Sequence, residues 1–380
     1  MFEDVISLTQ KLISFNTVNP EGNEENIARF VGQLLIDNGF TIAYNQLAVN
    51  RLTLIAEKGL SHFCPPIVLT GHFDTVPLGE KKWAEDPFSG TIKEGKIFGR
   101  GSSDMKGGVA AMICAAIAAF NDSAPKGGVR LIFTAGEEPG CHGAKHLADT
   151  AFDMGSATAI IVGEPTSNIP AIGHKGALYL NVSSLGKTAH SSMPELGINA
   201  IFKAARAITK IENFRFDVDC DELHGYPTIN VGLINGGKNI NSVPDYAEFT
   251  IDIRSTAKLK HSEILERLTL LLGDEVSIEK LVDLEPVSSA ESSPFVQIVY
   301  AICGVSSNKS ILKKSLPYMT DGAILQQLYR GVPTVILGPG EAGMAHQTDE
   351  YCFTDKIIQA VEIYKRIILK NGGIIDVPIS

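Results

Sequence analysis

Apolar positions along the chain fall into two textures. In the first half and again near the C-terminus, short runs rich in β-branched residues alternate with helix-like stretches: residues 67–70 (IVLT), 129–134 (VRLIFT), 159–162 (AIIV) and 334–337 (TVIL). Short apolar runs bounded by Gly or Pro and separated by helical segments read as buried parallel strands of an α/β domain. Each ends within a few residues of a histidine or a carboxylate, in GHFD, GEEPG, GEPT and GPGEAGMAHQ. Ligands of open α/β sheets bind beyond the carboxyl ends of the strands, so these four distant segments are expected to converge on one site. Between residues 175 and 288 the pattern changes to alternating strands at 178–182, 228–233 and 248–254, with helical stretches at 198–213 and 261–272. This predicts a separate α+β unit, a two-layer sandwich of sheet and helices. An α/β strand follows it, so the smaller unit reads as an insertion: residues 175–288 within a main domain of residues 1–174 and 289–380.

Composition narrows the picture. The 380 residues are 44% hydrophobic and 20% charged, which is ample for a substantial core and excludes disorder. A net charge of −10 with no Lys/Arg-rich stretch makes nucleic acid an unexpected partner. The longest apolar run, residues 109–120 (VAAMICAAIAAF), falls short of the roughly 20 needed to cross a bilayer and reads as a buried helix, so no membrane partner is expected. At the N-terminus, Val5, Leu8, Leu12 and Ile13 have helical spacing behind acidic residues, the opposite of a secretion signal. The six cysteines are scattered with no CxxC, and the economical reading is free thiols in the cytoplasm.

The strand ends carry the candidate chemistry. In Gly71-His72-Phe73-Asp74 an extended backbone points His72 and Asp74 the same way, so the carboxylate is expected to hold the imidazole, as partners of metal-bound histidines do. Asp104 lies in the glycine-flanked loop GRGSSDMKGG, where a carboxylate could bridge two cations. Glu137-Glu138 directly follow an apolar strand; a metal there would let one act as ligand while the other stays free as a base. Each cluster alone has a plainer account: a hydrogen-bonded pair, a capping aspartate, two solvated glutamates. With Glu164 in GEPT and His346 in AHQTDEY, the donor set suits zinc, cobalt or manganese better than magnesium or a thiolate-rich structural zinc.

Together these segments resemble the dinuclear zinc deacylases and exopeptidases of the acetylornithine deacetylase and succinyl-diaminopimelate desuccinylase type. The resemblance covers essentially the whole chain and is carried by GHFDTVP at 71–77, GRGSSDMKGG at 99–108, GEE at 136–138, GEPT at 163–166, GKTAHSSMPELGINA at 186–200 and AHQTDEY at 345–351. It implies a zinc-peptidase-like α/β catalytic domain with a mixed, mainly parallel sheet, plus an inserted α+β dimerisation domain. It implies two divalent ions, zinc with cobalt or manganese as alternatives: His72, Asp104 and Glu164 on one, His346, Asp104 and Glu138 on the other. Asp104 would bridge, Asp74 would orient His72, and Glu137 would be the general base of amide hydrolysis. His190 resembles the histidine that reaches the partner subunit's site in a homodimer and stabilises the oxyanion. The implied substrate is a small N-acyl amino acid, held by Arg254, Lys175, Asn239, Asn241 and Thr320. Stretches such as GEPTSNIPAIGHKG and LGPGEAGMAHQTDEY are most similar to the deacetylases, whereas residues 318–322 (YMTDG) resemble a desuccinylase loop.

Two nucleotide signals are weaker. Gly186-Lys187-Thr188 ends like a phosphate loop, but Asn181 stands where its leading glycine belongs. Residues 338–343 satisfy GxGxxG, yet lie too near the C-terminus to open a dinucleotide fold.

Overall fold

The computed structural model describes residues 4–123, 125–150, 152–305 and 314–371. Its strands are β1 (Thr41–Ala48), β2 (Arg51–Lys58), β3 (Ile67–His72), β4 (Val129–Thr134), β5 (Ala159–Val162), β6 (Gly176–Leu185), β7 (Thr228–Gly236), β8 (Tyr246–Ser255), β9 (Ser277–Leu284) and β10 (Thr334–Ile336), with shorter pairs beside them. The helices are α1 (Val5–Ile13), α2 (Glu25–Asp37), α3 (Gly107–Asp122), α4 (His142–Asp149), α5 (Ala200–Glu212), α6 (His261–Leu272), α7 (Pro294–Cys303), α8 (Gly322–Leu328) and α9 (Thr354–Lys370).

Contacts divide the chain into two units: residues 1–173, 288–314 and 320–380, and residues 174–287 with 315–319. In the first, six strands order as β1-β2-β4-β3-β5-β10. The pairs β4–β3, β3–β5 and β5–β10 are parallel, while β1 and β2 add an antiparallel edge. Strands β3, β4 and β5 are buried along their whole length, which is why they read as unbroken apolar runs. The 109–120 run lies within α3, which extends beyond it to Gly107–Asp122 and is buried over most of its length, as a core helix is. α1 starts where Asp4 accepts the Ser7 N–H at 2.8 Å and buries Leu8, Leu12 and Ile13.

The second unit is an antiparallel sheet, β7-β8-β6-β9, with α5 and α6 sharing its core. Leu178, Leu180 and Val182 of β6 and Phe249, Ile251 and Ile253 of β8 alternate into it, meeting Ala204, Ala207, Ile264 and Leu268 of the helices. Residues 315–319, which the sequence reading kept with the main domain, group with this unit: Lys175 N–H donates to the Leu316 carbonyl at 2.9 Å, and Ser315 Oγ meets His224 Nδ1 at 2.6 Å. All six cysteines are free.

Candidate metal centre

β3 delivers His72 at its last position, almost fully buried. Its Nδ1 donates to the backbone carbonyl of Asp74 at 2.9 Å, which turns Nε2 toward Asp104 Oδ1 at 3.2 Å and Glu164 Oε1 at 3.6 Å. The expectation that the Asp74 carboxylate holds His72 needs correction, because that oxygen lies 3.7 Å from Nδ1. The carboxylate instead accepts the N–H of Glu137 at 3.0 Å and of Glu138 at 3.2 Å, with Asn19 Nδ2 at 2.8 Å. The amides of the turn after β4 have no ladder partner, and a buried carboxylate satisfies two of them at once. Asp74 therefore sets the Glu137-Glu138 turn, and His72 takes the nearer carbonyl.

Asp104 sits in an irregular turn before α3, at φ −121° and ψ 89°. The residue that holds this turn was not singled out from sequence. Buried Glu350 accepts the N–H groups of Gly101, Ser103 and Asp104 at 3.0, 2.8 and 3.0 Å, and pairs with Arg100 at 2.7 Å. Its only sequence signal was an acidic residue within AHQTDEY. The GxGxxG glycines also serve this turn and its neighbour: a Cβ on Gly338 would collide with the Gly163 carbonyl, and one on Gly340 with that of Ser103. They permit close backbone approach around Asp104 and Glu164.

Glu164 follows β5, and Glu138 follows β4. His346, in the left-handed region at φ 63° and half exposed, places Nε2 3.1 Å from Glu138 Oε2 and 3.6 Å from Asp104 Oδ2. The two histidines thus face opposite oxygens of one carboxylate. Glu137 joins His72 and Glu164 in one close group, and Glu137, Cys141 and Asp321 form a second. Asp321 accepts the Thr134 hydroxyl at 2.5 Å and was passed over for its neighbour Thr320. Thr320 itself is fully buried and its Oγ1 accepts the Gly322 N–H at 3.0 Å. The open N–H groups at the start of α8 account for that choice.

So many carboxylates in one dry site repel one another. Burial, then the charges of Glu164 and Asp321, push Glu137 well above the ordinary carboxylate range, and burial with Asp104 pushes Glu164 likewise. Burial and Asp104 raise Glu138 to about 7; burial raises Asp321 to about 6. Burial would lower His72, but its hydrogen bond to Asp104 and the charges of Glu164, Glu137 and Asp74 outweigh it and raise it well above 6.5. Glu138 Oε1 is buried with no hydrogen-bond partner. Orphaned acceptors and mutually raised carboxylates are what a donor set looks like when it is short of cations.

The other sequence candidates belong to the second unit. His190 is exposed, its Nδ1 held by Ser192 Oγ at 2.7 Å, and Ser191 N–H donates to the Asn241 carbonyl at 3.1 Å. His190 and Asn241 are therefore adjacent and exposed, and Asn239 is exposed two positions earlier. Arg254, on β8, pairs with Asp252 at 2.8 Å and lies over the Tyr179 ring at 5.1 Å. Lys175 Nζ donates to the Tyr226 carbonyl at 2.5 Å.

The profile of the peptidase family M20/M25/M40 matches residues 68–370. The chain belongs to this family. It is a metallo-hydrolase of it, and every candidate ligand lies within the matched span. A probable succinyl-diaminopimelate desuccinylase of Staphylococcus epidermidis is 30% identical over 397 residues, covering 96% of this chain and 97% of its own. An acetylornithine deacetylase of Vibrio campbellii is also 30% identical, with 97% of each chain covered. Among solved structures, an M20 family metallo-carboxypeptidase of Sulfolobus solfataricus superimposes with a TM-score of 0.79 at 17% identity, over 97% of this chain and 99% of that one. The Bacillus subtilis YXEP protein, described as a dinuclear metal binding peptidase, does so at 0.69 and 16% identity, over 96% of each. The fold is that of the M20 family, a mixed, mainly parallel six-stranded sheet with helices and a separate antiparallel sheet unit.

Proposed function

We propose that this metallo-hydrolase cleaves the amide bond of an N-acyl amino acid, with N-acetylornithine as first substrate. The observation that carries the site assignment is Asp104, whose two oxygens face His72 and His346. One ion would be held by His72, Asp104 and Glu164, the other by His346, Asp104 and Glu138, and the orphaned Glu138 oxygen fits that assignment. Zinc is the first choice, with cobalt or manganese as alternatives. Bound there, the ions would supply Lewis acidity to the scissile carbonyl and to the attacking water. Glu137 is the general base: it takes a proton from water and returns it to the leaving amine. Its backbone is pinned by Asp74, so the carboxylate enters the site from a rigid turn.

Arg254, Lys175, Asn239 and Asn241 are the candidates for holding the substrate's carboxylate and acyl group. His190 is proposed to stabilise the oxyanion in the partner subunit's site of a homodimer. The dimer reading is supported by β7, an edge strand with Leu233 and Ile234 64% and 54% exposed, and by Phe202 of α5 at 64%. Such an edge is a template for pairing with another chain. The scattered cysteines, none of them in a disulfide, favour the cytoplasm. The YMTDG segment and the staphylococcal relative favour a second reading, removal of a succinyl group from diaminopimelate.

The test is amine release by zinc- or cobalt-loaded protein from N-acetylornithine, N-succinyl-diaminopimelate, N-acetylmethionine and a dipeptide, with and without chelator. Chelator-sensitive release from N-acetylornithine above the rest is expected. Silence on all four by fully metallated protein would refute the substrate class. His190→Ala should lower kcat by roughly 10²-fold, the scale of one oxyanion donor, and an unchanged rate would remove His190 from the site.

A further inference from the structure

α4 begins at a residue whose backbone is out of character. Cys141 has φ 57° and ψ 37°, left-handed values that a residue other than Gly, Asn or Asp seldom adopts. It occupies the N-cap position, yet its side chain makes no capping hydrogen bond to the helix. The thiol instead turns inward, fully buried, with Sγ 3.6 Å from Glu137 Oε1 and Asp321 close by. The backbone forces this return: the N–H groups of Gly140 and Cys141 both donate to the Glu137 carbonyl, at 2.8 and 2.7 Å, so residues 137–141 close on themselves. Asp321 Oδ2 accepts the Thr134 hydroxyl and the rest of that carboxylate also neighbours the thiol, but the hydrogen bond of Sγ with good geometry runs to Glu137 Oε1.

We propose that Cys141 is a positioning residue for Glu137: its S–H holds one carboxylate oxygen so that the other is presented to the reacting water and leaving amine. This rests on Glu137 being the base. Burial and the flanking carboxylates raise the thiol well above its ordinary range, so it stays protonated and able to donate. A strained backbone carrying an inward-facing donor is the pattern expected where geometry at a site outweighs local comfort.

The experiment compares metallated Cys141→Gly, Cys141→Ala and Cys141→Ser with Glu137→Gln. Glycine relieves the left-handed strain, which offsets part of the cavity cost of removing the buried thiol, and a merely structural cysteine would show that cost in stability and not in kcat. The proposal expects Cys141→Gly to keep wild-type metal content but to lose about tenfold in kcat, the scale of one hydrogen bond to a charged group, with KM changed less than about twofold. Cys141→Ala should be as slow, and Cys141→Ser, which restores a donor, should recover to within about threefold of wild type. Wild-type kcat in Cys141→Gly, or a serine variant no faster than alanine, would overturn it. If Cys141→Gly loses metal, the alanine-serine pair decides alone. Full turnover by Glu137→Gln would instead remove the base assignment, whereas a slow Glu137→Gln beside a fast Cys141→Gly removes only the thiol's part.

Discussion

Two places in this protein bury a histidine among carboxylates, and they resolve their charge in opposite ways. In the second unit, His261 is nearly inaccessible; its Nε2 meets Ser255 Oγ at 2.6 Å and its Nδ1 meets Asp283 at 2.7 Å. Lys280 neutralises Asp283 at 2.7 Å, and the Glu285 carboxylate accepts the His261 N–H at 3.3 Å. Burial works against the Asp283 anion, but Lys280 and His261 hold its pKa below the ordinary value. Among the described residues no lysine or arginine is paired with the acids around His72: Asp104, Glu137, Glu138 and Glu164 face one another, and three of the four have raised pKa values. Both groups contain metal-ligand residue types within reach of one another. The difference teaches that convergence of donors is a weak signal and uncompensated buried charge a strong one.

The contrast breaks most sharply at the bridge. Asp104→Ala should abolish both metal content, by elemental analysis, and turnover; an active, fully metallated variant would end the two-ion assignment. Glu137→Gln should cost about 10³-fold in kcat while both metals stay bound, within the range of a lost general base, and a rate above a tenth of wild type would count decisively against it.

Proton linkage gives the next effect. With Glu138 near 7 and Asp321 near 6 in the folded chain, and His72 raised as well, the metal-free fold holds protons that the unfolded chain releases. Raised groups contribute stability that is present below their unfolded pKa values and lost as pH rises through the folded ones. Chelated protein should therefore melt at progressively lower temperature from about pH 5 to about pH 7.5. A divalent ion bound there would take the place of those protons, so the rise in melting temperature on adding zinc or cobalt should grow across the same window. A metal-induced shift that is flat with pH would show that these carboxylates do not bind the ions. The smallest effect belongs to the satisfied cluster: His261→Ala should cost about 1–3 kcal/mol of stability by denaturant titration, leaving Ser255 Oγ and Asp283 Oδ1 without their imidazole partner, with metal content per folded chain unchanged.

Much of the catalytic unit was legible because its chemistry hangs on strand ends. β3, β4 and β5 are recognisable by apolar runs, and the glycines at or just after their ends mark the places that carry His72, Glu137, Glu138 and Glu164. Glu350, Asp321 and Cys141 were not legible as partners. Glu350 acts on a loop 246 positions away, and Asp321 receives its hydrogen bond from a residue 187 positions away. Cys141 is only four positions from Glu137, but its inward turn depends on a backbone conformation that residue type does not announce.

The sequence by itself determined the strands, through periodicity, and, through the resemblance that its motifs carry, the family and the hydrolytic class, because both are properties of a chain. Only the tertiary structure decided that Asp74 grips the Glu137-Glu138 turn and not the His72 ring, that Thr320 is buried at a helix start, and which cluster has its carboxylate charge balanced. Those outcomes depend on differences of less than an ångström between competing acceptors and on which charges share a dry volume, and neither quantity exists until the chain has folded.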